Sequence, residues 1–517
     1  MERWLSFSTF RLMIFVLALG GGSVAGGVPP RWEKVTGMPV GFSGQTDGIM
    51  GDRENSYAWC MDTLGGYLYV GTSRNVFAGM LMLSGTGAPA KPEIPVPTDM
   101  RGRLYRMHLK DRTWEQHYVC PDLSGGIGPM RVGLDSGYRM MKTFKAPGKA
   151  PILYLGSVGL GLPGNPGACS LIAVDGLGGI HRVFVQRARR NLSIRAIAEH
   201  DGALFWATDD MDDNGTPADF SDDFFKGPGL WFSSDPLGDS LAGRLPYSKV
   251  EVPDWFGPDG AEILDMVSYN GWLYAFFLTF ESGHAGFWCA KARREGDGWT
   301  WKLIVGDTEK GALYPKGMGR DRNGGAVPFV FQGDVYVGTM SGAAFRMMNG
   351  FGPMPPPSDP IEAMGGLGGM QIYRFDEKDR WERVMPSECI RSPFLVEILG
   401  GWINPLNLYI WRFGVVDGRL CAGTFDIGTG FDLLGWGTAE PGSLQDILIK
   451  LGLRNPRGFD LWSSSEGRGW LPISRDGFGD KWNYGVRSFA SDPSTGDLYL
   501  GTANPFYGCQ VWVKKAR

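Results

Sequence analysis

Gly66-Tyr-Leu-Tyr-Val-Gly-Thr72 is a glycine-led turn that runs into an apolar strand and ends in small residues. The pattern occurs seven times in the 517 residues, and the other copies are Pro151-Ile-Leu-Tyr-Leu-Gly-Ser157, Gly202-Ala-Leu-Phe-Trp-Ala-Thr208, Gly271-Trp-Leu-Tyr-Ala-Phe-Phe277, Gly333-Asp-Val-Tyr-Val-Gly-Thr339, Gly418-Arg-Leu-Cys-Ala-Gly-Thr424 and Gly496-Asp-Leu-Tyr-Leu-Gly-Thr502. Copies about 50 to 85 residues apart indicate a repeat architecture, because one unit of this size cannot bury both faces alone.

The residues around each copy predict three further strands. In the first repeat the motif is followed by Leu104-Tyr-Arg-Met107 and Trp114-Glu-Gln-His-Tyr-Val119. A strand also precedes the motif, as Ile263-Leu-Asp-Met-Val267 does in the fourth repeat. Four short strands per repeat, separated by Gly/Asp turns, are typical of a β-propeller blade.

The two ends of the chain predict how the repeats close. The last repeat ends after its third strand, Gly508-Cys-Gln-Val-Trp-Val513, and the missing strand resembles Arg31-Trp-Glu-Lys-Val35. We therefore expect an all-β, seven-bladed β-propeller whose ring is closed by an N-terminal strand that completes the last blade. The expected single domain spans 26–517, with blades at 55–119, 138–186, 191–252, 262–305, 325–385 and 408–473, and at 31–36 together with 483–517.

One further motif connects the chain to known propellers. Ser463-Ser-Ser-Glu-Gly-Arg-Gly-Trp470 resembles the Asp-box, S-x-D-x-G-x-x-W, with Ser465 in the Asp position. With the repeats, it makes the chain similar to seven-bladed propeller proteins of the Asp-box, sialidase-like architecture. The resemblance implies a fold and no enzyme family, since the Phe-Arg-Ile-Pro motif of sialidases is absent.

The N-terminal segment predicts export. Residues 1–25 resemble a signal peptide, with the apolar core Leu12-Met-Ile-Phe-Val-Leu-Ala-Leu19 and a cleavage site after Ser23-Val-Ala25. We expect a periplasmic or extracellular monomer without a transmembrane segment. The net charge of −4 argues against a nucleic-acid partner. The seven cysteines match no metal or haem spacing and are expected to be mostly buried thiols.

A set of arginines and aromatic residues predicts a ligand site. Counting back seven residues from the motif glycine gives Trp59, Arg195 and Trp411, with Arg412 adjacent. Longer turns bring Arg139 and Arg487 to the same column, and Tyr57 and Tyr138 lie beside it. Arginines on the innermost strands of one ring would grip a carboxylate, sulfate or phosphate, and the aromatic residues would stack on a sugar. The alternative is that these arginines bond carbonyl and acidic groups between blades.

A second candidate site is a calcium loop. Asp210, Asp212 and Asn214 alternate before Gly215, a pattern that supplies oxygen ligands to a hard cation. Position twelve is Ser221 rather than Glu, which excludes an EF-hand. The alternative is a solvated acidic loop.

Long insertions indicate where a ligand would enter. Segments 73–102, 209–228, 340–369 and 425–458 all fall on the face that carries the loops between the second and third strands. The leading hypothesis is an exported protein that binds a small polar or anionic ligand, a glycan included, at the channel mouth. The alternatives are a lyase or hydrolase of an acidic polysaccharide, with Asp135, Glu262 or Asp265 as acid and base, and a surface platform for protein partners.

Overall fold

A computed structural model describes residues 32–37, 49–74, 98–123, 131–159, 167–188, 192–212, 224–256, 261–278, 286–320, 323–341, 370–385, 404, 406–429, 450 and 456–517. The predicted signal peptide (1–25) lies outside these residues, as do most of the long insertions. No helix in the described ranges is long and apolar enough to cross a membrane.

The N-terminal half of the chain is built from short strands. These are β1 (Trp32–Lys34), β2 (Asn55–Leu64), β3 (Tyr67–Arg74), β4 (Arg103–His108), β5 (Trp114–Val119), β6 (Gly137–Phe144), β7 (Ile152–Gly159), β8 (Gly167–Val174), β9 (Ile180–Ala188), β10 (Leu192–Ser193), β11 (Ala196–His200), β12 (Ala203–Asp212), β13 (Phe224–Ser233) and β14 (Ser248–Lys249). A short helix, α1 (Pro236–Leu241), follows β13 and begins at the N-cap Asp235. The sequence patterns did not predict this helix.

The C-terminal half continues in the same way. Its strands are β15 (Glu262–Tyr269), β16 (Trp272–Leu278), β17 (Trp288–Glu295), β18 (Gly298–Gly306), β19 (Tyr314–Pro315), β20 (Asn323–Phe331), β21 (Asp334–Ser341), β22 (Ile372–Phe375), β23 (Trp381–Met385), β24 (Asn407–Val416), β25 (Arg419–Asp426), β26 (Leu461–Ser464), β27 (Leu471–Ser474), β28 (Gly485–Ser491), β29 (Leu498–Ala503) and β30 (Val511–Lys514). Single 3₁₀ turns occur at Ile49–Gly51, Thr308–Lys310 and Lys316–Met318.

The strands pair in antiparallel runs of four, which we call units. The first unit is β2–β3–β4–β5 and the second is β6–β7–β8–β9. The same order recurs in β11–β14, β15–β18, β20–β23 and β24–β27. Strands β28, β29 and β30 follow, and β1 pairs with β30, with Trp32 opposite Lys514. The fold is thus all-β and propeller-like.

The glycine of the repeated motif closes a tight hairpin. In five units the first and second strands are joined by two residues, and both have positive φ; Asp201 (47°) and Gly202 (70°) are one example, Asn270 (47°) and Gly271 (72°) another. A type I′ turn requires this backbone at both positions, which explains why Gly takes the second place and Asp, Asn, Gln or Gly the first.

A buried polar pair repeats at the opposite end of the first strand. The Thr72 hydroxyl donates to the Asn55 side chain at 2.9 Å, and Thr424 and Thr502 do the same to Asn407 (2.9 Å) and Asn483 (3.1 Å). These residues are essentially inaccessible to solvent. Each pair ties the start of a first strand to the end of its neighbour and satisfies groups that would be costly to bury alone.

Apolar side chains fill the space between neighbouring units. Small residues allow the sheets to approach closely: a Cβ on Gly423 would lie 2.3 Å from the Val486 Cβ of the next unit. The described cysteines (Cys60, Cys120, Cys169, Cys289, Cys421 and Cys509) are buried free thiols, as the sequence predicted, and Cys389 lies outside the described residues.

Candidate functional site

The predicted column of site residues coincides with a repeated β-bulge on the first strand of the units. The register skips Trp59 in β2, Arg139 in β6, Trp411 in β24 and Arg487 in β28. Arg195 lies directly before β11, at the corresponding place. A bulge adds an unpaired residue and re-aims its side chain, so several units direct large side chains toward one shared space.

Arg487 is the most enclosed of these cations. It is 4% exposed, and its guanidinium carbon lies 5.0 Å from the centre of the Trp411 ring and 5.6 Å from that of Trp59. Within the described residues it has no hydrogen bond or ion pair. Burial, and then the charge of Arg412, lowers the pKa of Arg487 to about 9. It remains protonated at neutral pH and therefore holds a buried positive charge with no anionic partner in the part of the chain that the structure describes.

Arg139 lies beside the same tryptophan. Its guanidinium carbon is 5.4 Å from the Trp59 ring centre, and its Nη1 donates a long hydrogen bond of 3.5 Å to the Ser193 hydroxyl. Burial and the charges of Arg195 and Arg487 lower the pKa of Arg139 well below its ordinary value. The charges of these arginines therefore act on one another, and we treat them as one electrostatic group.

The other two arginines have carboxylate partners. Arg195 forms an ion pair with Glu262. The Arg412 Nη1 lies 3.1 Å from the Asp265 Oδ2, and its Nη2 lies 3.3 Å from the Met140 sulfur. Burial raises the pKa of Asp265, although the charge of Arg412 opposes this. We call Arg139, Arg195, Arg412 and Arg487 the arginine cluster.

An aromatic wall supports the cluster. Tyr57 stacks on Trp59 with ring centres 5.4 Å apart, and the Tyr484 hydroxyl donates to that of Tyr57. Trp411 packs edge-on against Tyr409 at 5.2 Å. Trp59 and Trp411 are each 8% exposed, so these rings lie mostly inside the protein. They hold the guanidinium groups and leave little ring surface for a stacked sugar.

Two glycines make room for the tryptophans. A Cβ on Gly485 would lie 2.0 Å from the Trp411 ring, and one on Gly137 would lie 2.9 Å from the Trp59 ring. Each ring therefore rests on the backbone at the start of the next unit's first strand. This close approach sets the position of the aromatic wall relative to Arg139 and Arg487.

Two residues singled out from the sequence lie elsewhere. Tyr138 is fully buried in the core beside Tyr118, with ring centres 6.4 Å apart, because it faces away from the bulged Arg139. Asp135 is fully buried and binds Arg182 through both carboxylate oxygens, at 2.7 and 3.1 Å. The candidate site therefore includes neither Tyr138 nor Asp135.

Glu262, Asp265 and Arg412 join the site through pairings across the fold. The sequence singled out both carboxylates for their chemistry and Arg412 for its position beside Trp411. No sequence signal paired them, because Arg412 and Asp265 are 147 positions apart. The four arginines and two carboxylates meet only in the folded chain.

The calcium hypothesis falls mainly outside the described residues. The backbone of Asp210 and Asp212 extends β12, and Asn214 is not among the described residues. Within the described ranges no group of three or more His, Cys, Asp or Glu side chains is arranged to hold a metal ion. The loop thus remains a prediction.

The chain was compared with protein families, curated proteins and solved structures. No protein-family model matches the chain, and no curated protein matches it. Among solved structures, it is similar to the β-propeller domain of the Trilobed protease from Pyrococcus furiosus, at 9% identity and a TM-score of 0.40 over 88% of this chain and 93% of that chain. It is also similar to an acylaminoacyl peptidase from Pyrococcus horikoshii, at 7% identity and a TM-score of 0.42 over 90% and 53% of the two chains.

A third likeness is to a GH43 β-xylosidase/α-arabinofuranosidase from a compost metagenome, at 13% identity and a TM-score of 0.30 over 62% and 92% of the two chains. The chain spans about half the length of the acylaminoacyl peptidases that it matches. Similarities at this level carry no argument about fold or function. The strand order of the chain itself gives a propeller-like, all-β protein.

Proposed function

We propose that the protein binds a small anionic ligand at the arginine cluster. The observation that carries the proposal is Arg487, a guanidinium held between Trp59 and Trp411 at 4% exposure, with no anionic partner among the described residues. A buried charge without a partner is costly, and an anion placed beside it recovers that cost as binding free energy.

The charge balance of the site supports the same ligand class. Four guanidinium groups lie in one electrostatic group, and Glu262 and Asp265 are the two carboxylates paired with them within the described residues. Arginine presents planar donors that match a carboxylate, sulfate or phosphate. An acidic glycan belongs to this class if its acid group, rather than its ring, makes the main contact.

We also propose that 26–517 is one seven-bladed propeller closed by its N-terminal strand. Two observations support this. The first strands pack in the cyclic order β2, β6, β11, β15, β20, β24, β28 and back to β2. In addition, β1 pairs with β30. Deleting residues 26–37 is expected to lower the melting temperature, and an unchanged melting temperature would contradict the closure.

The anion hypothesis is tested by calorimetry and thermal shift with phosphate, sulfate, succinate and galacturonate. A ligand at about 100 times its Kd adds about 2.7 kcal/mol to the free energy of unfolding, so a specific anion will raise the melting temperature. Arg487→Gln is expected to abolish that shift. Arg380→Gln is the matched control, because Arg380 is 73% exposed and pairs with Asp376 in a surface turn. Unchanged binding by Arg487→Gln would refute the site.

A catalytic function is the second candidate. It is favoured by the position of Asp265, a carboxyl whose pKa is raised by burial, among arginines that would hold an acidic substrate. Lyase or hydrolase action on an acidic polysaccharide then predicts that Asp265→Asn and Glu262→Gln lose turnover but retain binding. If wild-type protein binds an acidic polysaccharide and forms no product, the catalytic function is contradicted and the binding function stands.

Export and calcium binding are proposals from the sequence. Residues 1–25 predict a secreted product that begins at Gly26, and N-terminal sequencing of that product tests this. Calcium at Asp210, Asp212 and Asn214 predicts a thermal shift that EDTA removes and that Asp212→Asn weakens. Equal melting temperatures in calcium and EDTA would contradict it.

A further inference from the structure

We infer that the ligand of the arginine cluster carries two negative charges, which Arg139 and Arg487 receive together. This inference rests on the proposed anion-binding function and specifies its substrate class as small dianions, such as phosphate monoesters and dicarboxylates. The evidence is the division of the four arginines into two that form ion pairs with carboxylates and two that form none with the residues that the structure describes.

Arg195 and Arg412 already have their counterions. Glu262 pairs with Arg195, and Asp265 lies 3.1 Å from Arg412. Both carboxylates come from β15, so a single strand supplies the negative charge on one side of the site. An incoming anion gains less from these two arginines, because it must compete with a carboxylate for each.

Neither Arg139 nor Arg487 forms an ion pair with a carboxylate of the described ranges, although the charge of Glu262 does act on Arg139. The hydrogen bond of Arg139 goes to a neutral hydroxyl, and Arg487 lies over two aromatic rings and has no hydrogen bond or ion pair among the described residues. Both guanidinium carbons lie close to the Trp59 ring centre, at 5.4 and 5.6 Å, so they are at most about 11 Å apart. A molecule with two anionic groups, such as succinate, is long enough to bridge a separation within this bound.

The repulsion between these two cations determines how many negative charges the ligand is expected to carry. Arg139 and Arg487 repel each other in a largely desolvated space. A monoanion pairs with one guanidinium and leaves the other without an anionic ligand, whereas a dianion pairs with both. The second charge is therefore expected to strengthen binding about ten- to hundredfold, the range for a charge-assisted hydrogen bond.

The ligand is expected to be recognised by its charge rather than by ring stacking, because the Trp59 ring is largely covered by its neighbours. Trp59 is in contact with Tyr57, Arg139 and Arg487 and is only 8% exposed. Its ring orients the guanidinium groups, so the specificity of the site lies in the number of anionic charges.

The test compares methyl phosphate with methyl sulfate by calorimetry at pH 8, using the full mature chain. The two probes have nearly the same size and shape, but methyl phosphate is a dianion above about pH 6, whereas methyl sulfate is a monoanion. Wild-type protein is expected to bind methyl phosphate about ten- to hundredfold more tightly. Arg139→Gln and Arg487→Gln should each reduce this ratio toward one, and Arg380→Gln should retain it.

Different results test the two-charge ligand and the proposed anion binding separately. Equal affinities for the two probes would overturn the two-charge inference and leave anion binding intact. Binding of neither probe, nor of succinate, would overturn both. Circular dichroism on each variant verifies the fold, and the wild-type ratio decides the inference whether or not the variants fold.

Discussion

Two largely buried arginines of this protein have opposite surroundings. Arg182 on β9 binds both carboxylate oxygens of the fully buried Asp135. Burial lowers the pKa of Arg182, but the hydrogen bonds and charge of Asp135 outweigh it and raise the pKa above its ordinary value. Arg487 on β28 lies against Trp59 and Trp411, and burial together with Arg412 lowers its pKa to about 9.

The contrast separates a structural arginine from a binding arginine. A guanidinium with a buried carboxylate is satisfied inside the fold, so it stabilises that arrangement and has no capacity left for a ligand. A guanidinium surrounded by rings and other cations reduces the stability of the unliganded fold, and only an anion from outside relieves it. Sites of this kind exchange stability for function.

The largest effect is expected from breaking the paired arginine. Arg182→Met should lower the free energy of unfolding by about 3–5 kcal/mol, because Asp135 would keep a buried negative charge without its partner. Urea denaturation measures this. The double variant with Asp135→Asn should be more stable than Arg182→Met alone. A decrease in the free energy of unfolding below about 1 kcal/mol would show that another group compensates the charge of Asp135.

A steric change should disturb the binding arginine without altering any charge. Gly485→Ala places a Cβ about 2 Å from the Trp411 ring, so the ring must move, at an expected cost of about 1–3 kcal/mol. Because Trp411 holds Arg487, the affinity for anions should fall as well. Gly176→Ala is a control in the exposed turn between β8 and β9, since its φ is not positive and no atom lies within 4 Å of its added Cβ. Unchanged anion affinity in Gly485→Ala would show that the position of the Trp411 ring does not affect the anion site.

Removing the unpaired charge should have the opposite sign. Arg487→Met is expected to raise the free energy of unfolding of the unliganded protein by about 1 kcal/mol, since the buried charge is lost and the methionine still packs between the rings. The same variant should show no stabilisation by anions. Thermal melting with and without ligand measures both effects. A strongly destabilised variant would mean that Arg487 is structural, like Arg182.

The buried carboxyl of Asp460 predicts that the stability of the fold depends on pH. Burial raises its pKa to about 6, although the charge of Arg475 opposes this. The unfolded chain releases this proton near pH 3.9, so the folded state binds more protons between about pH 4 and pH 6. The stabilisation from Asp460 is therefore full below pH 4 and is lost as the pH rises through 6.

The Asp460→Asn variant tests that sign. Relative to wild type, it should gain about 2 kcal/mol between pH 4 and pH 7, because the amide stays neutral while wild-type Asp460 ionises. Urea titrations at both pH values measure the difference. Asp376→Asn is a control that should change little between these pH values, since the hydrogen bond from Arg380 lowers the pKa of Asp376 to about 2, below the range of the titration. A pH-independent difference for Asp460→Asn would contradict the raised pKa.

Much of the fold was predictable from local patterns. Gly202 and Gly271 close two-residue turns that need positive φ, and the apolar strands after them bury both faces, so a short stretch is enough to recognise each repeat. The pairing of β1 with β30 was visible as a missing strand at one end and a matching one at the other. The Asn–Thr pairs were not recognised, because Asn55 and Thr72 belong to different strands and each looks ordinary alone.

The sequence by itself determined the repeated strands, their turns and the residues on the first strands, including Arg139, Arg195 and Arg487. Only the tertiary structure decided which arginines are satisfied. Asp135 meets Arg182, Asp265 meets Arg412, and Arg487 meets two tryptophans because bulges and packing between units bring distant residues together. A turn depends on neighbouring residues, whereas a charge depends on every group around it, and that is why the chemistry of the site follows from the folded chain.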